Sequence, residues 1–381
     1  MNEPRKRAWV SIDTQALQKN LARVHSLCPE STIFPVIKAN AYGHGMEQAA
    51  RAFTSSHTQI AGFAVATVDE ALALDKLEFD IPILLLPGFA DEQELAACVG
   101  AGIEMVVHSR YQVSALQKLF DADVFPGVPR LWVKHNSGMN RLGFSCADCI
   151  EAYQALHRLP EVELVLMSHL SCADDSTDST SQEFTSAQIT QFNKVRDQLV
   201  EATGKAIVCS MAASAGILGL PATHYDIVRP GIMLYGASPL TTATGEELGL
   251  LPVMTLYSRL IAINAVAAGA SIGYGATYTC DRDTRVGVVA IGYADGYPRS
   301  AINGTAVLIQ TQAGSVRTRL IGQVSMDMIT VDISGVDSVQ LGDEVVLWGV
   351  GLCADEVAKQ AQTISYELFC KLTARVDFEY D

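Results

Sequence analysis

The chain has 381 residues, of which 49% are hydrophobic and 18% are charged, and its formal net charge is −15. These proportions are typical of a globular protein with a large core, and they exclude a disordered chain. The negative charge argues against nucleic acid or an anionic membrane as the main partner, because both bind basic surfaces. The composition therefore favours a small metabolite as the partner.

The N-terminus and the cysteines predict the compartment. Residues 1–7 are basic, but residues 8–13 are too short and too polar for the apolar region of a signal peptide. No later apolar run is long enough to span a bilayer. Nine scattered cysteines indicate reduced thiols, and the lone CxxC pair, Cys146 and Cys149, favours structural thiols over a redox or metal site. We expect a cytoplasmic protein without a metal.

The first 240 residues alternate apolar, β-rich runs with helical spacing. Residues 8–12 predict a short strand, and Asp13 and Thr14 can cap the helix after it. Eight strand candidates over this length predict a (β/α)8 barrel, although a doubly wound sheet would alternate in the same way. The eight candidates are 34–38, 60–66, 81–86, 103–107, 131–135, 163–169, 206–211 and 226–235, with helices near 70–77, 92–99, 110–120, 147–156 and 185–202.

Beyond residue 240 the pattern changes to closely spaced strands with few helices, which predicts a second, mostly β domain. We expect an α/β protein, with an N-terminal (β/α)8 TIM-like barrel over 13–240 and a C-terminal mostly β domain formed by 1–12 and 241–381. The predicted strands of this domain are 254–266, 286–291, 306–310, 316–321, 328–333, 344–348 and 375–379, with a helix at 363–369.

The stretch FPVIKANAYGHG (34–45) predicts a buried strand that ends on Lys38. In α/β proteins, catalytic groups collect at the carboxyl ends of the strands. A desolvated lysine has a lowered pKa and can form a Schiff base with an aldehyde cofactor. A lysine that merely extends from a strand end into solvent is the alternative, and this stretch alone does not decide between the two.

A second candidate site follows the last predicted barrel strand. Arg229 precedes Pro230, and the amides of Gly231 and Ile232 can approach a phosphate closely. Ser214 could donate its hydroxyl to the same phosphate or simply cap a helix. In the β domain, the tyrosine-glycine stretches 272–278 and 291–299 could each be a turn with a packed aromatic ring.

Taken together, these stretches closely resemble the alanine racemase family, pyridoxal phosphate enzymes of fold type III, nearly end to end. The motifs that carry the resemblance are VIKANAYGHG (36–45), GMNRLG (138–143), VRPG (228–231), GYG (273–275), GYADGY (292–297), SMD (325–327) and TISY (363–366).

The resemblance implies a racemase that interconverts L-alanine and D-alanine, for peptidoglycan or for D-alanine catabolism. Lys38 would carry the pyridoxal 5'-phosphate aldimine, and Tyr274 would be the second base on the opposite face. The family works as a head-to-tail homodimer, so Tyr274, Tyr293, Met326 and Asp327 would come from the partner. A monomer would then be inactive.

The resemblance also implies roles for the remaining site residues. Arg229 would face the pyridine nitrogen and keep the ring a weak electron sink, and His169 would link Arg229 to Tyr274. The phosphate would be held by Tyr42, Ser214, Gly231, Ile232 and Tyr366, the substrate carboxylate by Arg141 and the Met326 amide, and the entrance would be narrowed by Tyr293 and Arg299.

The chain departs from the family pattern at two places. Many relatives carry a carbamylated lysine at the position of Lys134 and an aspartate where this chain has Asn136. We therefore hypothesise a bound anion in place of the carbamate. Ala213 stands where some relatives have an asparagine, which removes one polar contact near the phosphate.

Three alternatives share this fold or its barrel. The first is a broader-specificity or serine racemase, which the bulky Tyr293 and Tyr366 disfavour. The second is a decarboxylase, which would place an acid against the pyridine nitrogen and would not need Tyr274. The third is a non-catalytic pyridoxal phosphate carrier, which would not need the β domain.

Overall fold

The computed structural model describes residues 6–121 and 130–381. Its first strand, β1 (Ala8–Ile12), leads into a barrel of eight parallel strands. These strands are β2 (Thr32–Ile33), β3 (Phe63–Val65), β4 (Ile83–Leu85), β5 (Glu104–Val107), β6 (Leu131–Lys134), β7 (Leu164–Met167), β8 (Val208–Ala213) and β9 (Ile227–Arg229).

The barrel closes on itself. Its strands pair in the order β2-β9-β8-β7-β6-β5-β4-β3, and Val36, just beyond β2, forms a parallel bridge with Ala64 of β3. Every residue of β3 to β7 is buried, as expected for parallel strands covered by helices on one side and filled by side chains on the other. The barrel prediction is confirmed, and the doubly wound alternative is wrong.

Helical segments follow the strands around the outside of the barrel. Asp13 caps the first of them, as expected, by accepting a hydrogen bond from the Ala16 amide at 2.9 Å. The segments are α1 (Thr14–Leu27), the short turn α2 (Lys38–Tyr42), α3 (Met46–Thr54), α4 (Val68–Asp75), α5 (Glu92–Gly100), α6 (Arg110–Asp121), α7 (Cys146–His157), α8 (Ser179–Thr203) and α9 (Ser214–Gly219).

Several boundaries differ from the sequence prediction, and three of these differences have a clear physical reason. Pro35 has no amide hydrogen, so regular pairing stops early and residues 34–37 continue only as an extended segment before Lys38. Strand β9 ends at Arg229, because Pro230 turns the chain into a short 3-10 turn at 232–235. Helix α8 begins before the predicted residue 185, because Asp178 caps it by accepting from the Ser181 amide.

The β domain is built on one eight-stranded sheet. Strand β1 pairs with its long central strand in antiparallel fashion and with its last strand in parallel fashion. Its other strands are β10 (Met254–Val266), β13 (Thr284–Val289), β14 (Ala306–Thr311), β15 (Gly314–Leu320), β16 (Ile329–Asp332), β17 (Glu344–Trp348) and β18 (Asp377–Tyr380). A separate hairpin is formed by β11 (Ser271–Ile272) and β12 (Tyr278–Thr279).

Two short helices, α10 (Ala354–Gln360) and α11 (Ser365–Cys370), precede β18. The second was predicted, and the first was missed. Helix α11 packs on the turn α2, so the β domain of the chain touches the rim of its own barrel. All nine cysteines are unpaired. Across the two described ranges, no helix has the length and apolarity needed to cross a membrane.

Candidate active site

A pocket of about 1230 Å³ opens at the carboxyl ends of the barrel strands. Ten of the predicted site residues line it: Lys38, Tyr42, Lys134, Arg141, His169, Ser214, Arg229, Gly231, Ile232 and Tyr366. The other five predicted residues lie on the β domain and are not part of its lining within the described chain: Tyr274, Tyr293, Arg299, Met326 and Asp327.

Lys38 follows the extended segment that closes the barrel, and its partly buried side chain faces the pocket. Removal of water from the ammonium group lowers the pKa of Lys38, and the charge of Arg141 lowers it further, while Glu70 and Cys370 oppose the shift. A lysine with a lowered pKa holds more neutral amine near neutral pH. The neutral amine is the form that attacks a carbonyl or accepts a proton.

The residues after Lys38 form a left-handed turn. Ala39, Asn40, Ala41 and Tyr42 all have φ between 52° and 54°. Residues other than glycine rarely adopt this conformation, which costs roughly 1–2 kcal/mol for each residue because Cβ approaches a carbonyl oxygen. Strained backbone of this kind persists where surrounding contacts fix it, and it is common at active sites.

Side chains hold this turn at both of its ends. On the entry side, Glu70 Oε1 accepts a hydrogen bond from the Ala39 amide at 2.7 Å. On the exit side, Asn40 Oδ1 accepts from the Met46 amide at 2.8 Å and so joins the turn to α3. Glu70 was not among the residues predicted from the sequence.

The underside of the turn packs against α11 and the barrel core. A Cβ added to Gly43 would lie 2.3 Å from the Phe369 carbonyl oxygen, so only glycine allows this approach. The buried His44 places Nδ1 2.9 Å from the Tyr42 carbonyl oxygen, and its ring lies 4.6 Å from that of Tyr235. The turn is therefore fixed by contacts from several parts of the chain.

Of the five cationic side chains that line the pocket, Lys38, Lys134, Arg141 and Arg229 form one cluster, and Lys359 is the fifth. None of them forms a salt bridge with a carboxylate in the described part of the chain. Burial lowers the pKa of Lys134 to about 8, and the neighbouring charges of Arg229, Arg141 and Lys38 act in the same direction. Four carboxylates also line the pocket, but this local cluster of positive charge favours anions such as phosphate and carboxylate.

Arg229 is held rigidly at the base of the pocket. Its guanidinium donates to the carbonyl oxygens of Ser168 at 2.8 Å and Met211 at 3.2 Å, and to the Ser210 hydroxyl. Burial lowers the pKa of Arg229 to about 10, so it stays charged at neutral pH. Burial and the nearby cations, Arg229 foremost, lower the pKa of His169 to about 3, which makes its ring neutral.

A second group of residues brings hydroxyl and amide groups together at the pocket wall. Ser214 Oγ accepts a hydrogen bond from the Gly231 amide at 2.9 Å and does not cap α9, so the helix-cap interpretation is wrong. A Cβ at Gly231 would lie 2.5 Å from Tyr42 Oη. Burial raises the pKa of Tyr42 and of Tyr366, whose rings lie 5.8 Å apart, so both are neutral hydroxyl donors. These groups fit the phosphate of pyridoxal phosphate.

Asn136, the departure from the family pattern, shapes the loop before Arg141. Its Oδ1 accepts hydrogen bonds from the amides of Asn140 at 2.9 Å and Gly138 at 3.2 Å, and its Nδ2 donates to Asn140 Oδ1 at 2.9 Å. An aspartate could accept but could not donate to Asn140. The asparagine therefore has a local structural use that the sequence alone did not reveal.

Tyr274 lies on the outer surface of the β domain with 72% of its surface exposed. It sits in a short 3-10 turn between β11 and β12, flanked by Gly273 and Gly275, both with positive φ. The interpretation as a packed aromatic ring is wrong for this residue. Met326 and Tyr293 are also exposed, at 52% and 38%, which gives this face an apolar character typical of an interaction surface.

Asp327 belongs to a network of ions beneath that face. Its carboxylate lies 2.8 Å from Arg375 Nη2, and Arg375 also reaches the buried Asp295 at 3.2 Å. Arg7 pairs with Asp295 at 3.2 Å and donates to the Asp327 carbonyl oxygen. Sequence reasoning missed Arg7 and Asp295. The GYADGY stretch could have drawn attention to Asp295, whereas Arg7 gave no signal.

Sequence comparisons cover both parts of the fold. A family model described as the alanine racemase N-terminal domain matches residues 12–239, and one described as the C-terminal domain matches residues 253–380. The chain is 43% identical over 366 residues to the alanine racemase of Nitrosomonas eutropha, covering 96% of each chain. It is 42% identical to that of Vibrio cholerae over 378 residues, covering 98% of each.

Solved structures give the same result. The biosynthetic alanine racemase from Pseudomonas aeruginosa superposes with a TM-score of 0.89 at 39% identity, covering 99% of this chain and 100% of that one. The alanine racemase from Bartonella henselae, described with covalently bound pyridoxal phosphate, superposes with a TM-score of 0.85 at 27% identity. That match covers 99% of this chain and 100% of the Bartonella chain.

Proposed function

We propose that this chain, which belongs to the alanine racemase family and interconverts L-alanine and D-alanine, does so with pyridoxal 5'-phosphate and two bases, Lys38 and Tyr274. The observation that carries the proposal is the barrel pocket, which unites a lysine of lowered pKa with a cationic wall and a phosphate cradle. Members of this family depend on pyridoxal phosphate.

The barrel would hold the cofactor. Tyr42, Ser214, Gly231, Ile232 and Tyr366 would bind its phosphate, and the fixed cation of Arg229 would face the ring nitrogen. When bound, pyridoxal phosphate supplies an aldehyde that links to amines and a conjugated ring that withdraws electrons from the α-carbon. The lysine that would form this link is Lys38.

The remaining residues would handle the substrate and its proton. Arg141, exposed at the pocket rim, would bind the alanine carboxylate together with the Met326 amide. Lys38 would remove or return the α-proton from one side, and Tyr274 would do so from the other. The His169 ring is neutral, so it adds no positive charge beside the proton that Tyr274 would hold. In the described chain, Arg229 donates to the Ser168 carbonyl oxygen and not to the His169 ring. The link from Arg229 through His169 to Tyr274 therefore remains a proposal.

We propose a homodimer with composite sites. The barrel, residues 13–240, would supply the cofactor seat, and the β domain, residues 1–12 and 241–381, would supply Tyr274, Tyr293, Arg299, Met326 and Asp327 to the second copy. Residues 1–5 lie outside the described residues. The exposure of Tyr274 and Met326, and the fact that neither lines the described pocket of its own chain, support this arrangement.

Lys134 would stabilise the substrate-binding Arg141 through a bound anion. The support is the unpaired positive charge around Lys134 and the engagement of Asn136 with its own loop. Intact-mass measurement of the purified protein tests this idea directly. A mass increase that matches a carbamate on Lys134 would exclude the anion.

We also propose a cytoplasmic location, on the grounds that nine unpaired cysteines suit a reducing compartment. The alternative of a broader-specificity or serine racemase is not favoured, because the relatives reported above are alanine racemases. Comparison of racemization rates on alanine, serine and lysine would check this, and a faster rate on serine or lysine would overturn alanine as the substrate.

Complementation between two inactive variants tests the composite site. Lys38→Ala and Tyr274→Phe protein, each inactive alone, are mixed and their subunits allowed to exchange. A mixed dimer has one site with both native residues, so random exchange should restore about a quarter of the native activity. No recovery after verified exchange would mean that Tyr274 does not act across the dimer.

A further inference from the structure

We propose that Glu70 is a positioning residue for Lys38, because its carboxylate ties the start of α4 to the left-handed turn behind the lysine. The proposal rests on the role of Lys38 given above. Glu70 is partly buried and does not line the pocket, so it would act through the backbone and through its charge.

The two carboxylate oxygens of Glu70 bind two different segments. Oε2 accepts hydrogen bonds from the amides of Ala66 at 2.8 Å and Thr67 at 3.2 Å, which lie between β3 and α4. Oε1 accepts from the Ala39 amide at 2.7 Å, in the turn that follows Lys38. A single carboxylate therefore sets the spacing between the first and second β/α units of the barrel, next to the reactive lysine.

The next β/α unit shows what an ordinary cap of this kind looks like. In α5, Glu94 occupies the same third position of the helix, and its Oε2 accepts from the Ala90 amide at 2.7 Å. Both glutamates complete the N-terminus of a helix in the barrel. Glu70 alone of these two also binds the turn at Ala39, which is the contact that a helix cap does not require.

The charge of Glu70 acts on Lys38. The titratable groups that act on Lys38, or on which it acts, come from several elements: Glu70, Lys134, Arg141, His169 and Cys370. Among them, Glu70 is the carboxylate that opposes the shift caused by burial and by Arg141. Removal of its charge should therefore lower the pKa of Lys38 further, so that the amine becomes neutral at a lower pH.

The test measures how the full-length chain, freed of cofactor, takes up pyridoxal phosphate. The absorbance of the lysine-linked cofactor is followed between about pH 5.5 and 9, and thermal unfolding is recorded in parallel. The variant is Glu70→Gln, whose amide cannot accept on both sides at once. The matched controls are Glu94→Gln, the same change at the same helix position, and Thr67→Ala, which removes the other half of the α4 capping box.

We expect Glu70→Gln to slow uptake at the pH optimum by about tenfold. On the acid side of the profile, uptake falls as Lys38 becomes protonated, and this acid limb should move to lower pH by at least about half a unit. Both controls should stay within about twofold of the native rate and keep the native acid limb, even if their unfolding midpoints fall. Glu70→Asp keeps the charge but is too short for both contacts, so it should slow uptake without moving the limb.

Two outcomes would overturn the proposal, and they are distinguishable. If Glu70→Gln and Glu70→Asp both take up the cofactor like Glu94→Gln, Glu70 is only a helix cap. Borohydride reduction of the native protein, followed by peptide mapping, reports on the underlying function. A label on a lysine other than Lys38 would overturn the role of Lys38 and this proposal together.

Discussion

The barrel pocket and the Tyr274 face of the β domain are organised in opposite ways. In the pocket, functional groups are fixed by bonds within the chain: Arg229 donates three hydrogen bonds, and the turn behind Lys38 is tied on both sides. On the β domain, Tyr274 and Met326 are 72% and 52% exposed. The pocket is marked by four consecutive left-handed residues and by desolvated cations, and the other face by exposed apolar side chains.

Under the proposed function, this difference would be a division of labour between two halves of one reaction site. A cofactor seat must be rigid before the substrate arrives, because preorganised charges stabilise charge development most effectively. Under the proposed function, the second base would belong to a surface that is completed only on association. Each half can therefore be damaged separately, and the two kinds of damage should differ in their effects on stability and on cofactor binding.

Loss of Lys38 should have the largest effect. We expect Lys38→Ala to lower kcat/KM for alanine by on the order of 10⁴-fold or more, since the residue would bear both the cofactor and a proton. Thermal stability without cofactor should not fall, because the change removes a desolvated cation from beside Arg141 and Lys134. Polarimetry and calorimetry measure the two effects, and activity within tenfold of native would contradict the assignment.

Loss of the Tyr274 hydroxyl should come next and should leave the barrel intact. We expect Tyr274→Phe to lower kcat/KM by roughly 10²- to 10⁴-fold. Deuterium uptake from heavy water should fail for one alanine enantiomer and persist for the other. Cofactor affinity and thermal stability should be native, because the side chain is 72% exposed. Tyr278→Phe, on the same hairpin, is the control, and equal loss for both enantiomers would argue against two bases.

The same contrast explains how far the sequence could predict the molecule. Apolar runs between helical segments predicted the barrel, and a polar residue at a strand end, such as Lys134 or Arg229, must then lie at the pocket. The left-handed turn could not be predicted, because Ala39, Ala41 and Tyr42 have no preference for positive φ. Their conformation is imposed by contacts from α4 and α11.

The β domain was harder to interpret from local pattern. Glycines around Tyr274 predicted a turn, but whether a ring packs or projects depends on surfaces distant in sequence. The pair of Arg7 and Asp295 spans 288 positions, and no local signal connects them. The roles of the site residues came from family resemblance, whereas the residue types and spacings alone left several interpretations open.

A small change in the phosphate cradle should separate cofactor affinity from chemistry. A methyl group at Gly231 would lie 2.5 Å from Tyr42 Oη, so we expect Gly231→Ala to weaken pyridoxal phosphate binding roughly ten- to a hundredfold. At saturating cofactor, deuterium uptake into both enantiomers should remain balanced. Gly219→Ala is the control, because no atom lies within 4 Å of its added Cβ. Equal affinities for the two variants would rule out a tight cradle.

The last expected effect leaves the reaction untouched and concerns stability alone: a pH dependence of barrel stability set by His44. The fully buried ring has a pKa lowered to about 4 by burial, whereas the unfolded chain protonates near the ordinary value of about 6.5. Between these values the unfolded state binds the extra proton, so the stability present above pH 6.5 is lost as the pH falls toward 4. The contribution is up to about 3 kcal/mol.

The substitution His44→Asn tests this pH-dependent contribution to stability, because the amide nitrogen can still donate toward the Tyr42 carbonyl but cannot titrate. Urea unfolding at a series of pH values should give a smaller loss of stability from pH 6.5 to 4.5 in the variant than in the native protein. Above pH 7 the two curves should run parallel, offset only by the packing that the smaller side chain loses against Tyr235. Parallel curves through the acid range as well would show that His44 titrates alike in both states and that burial beneath the turn does not lower its pKa.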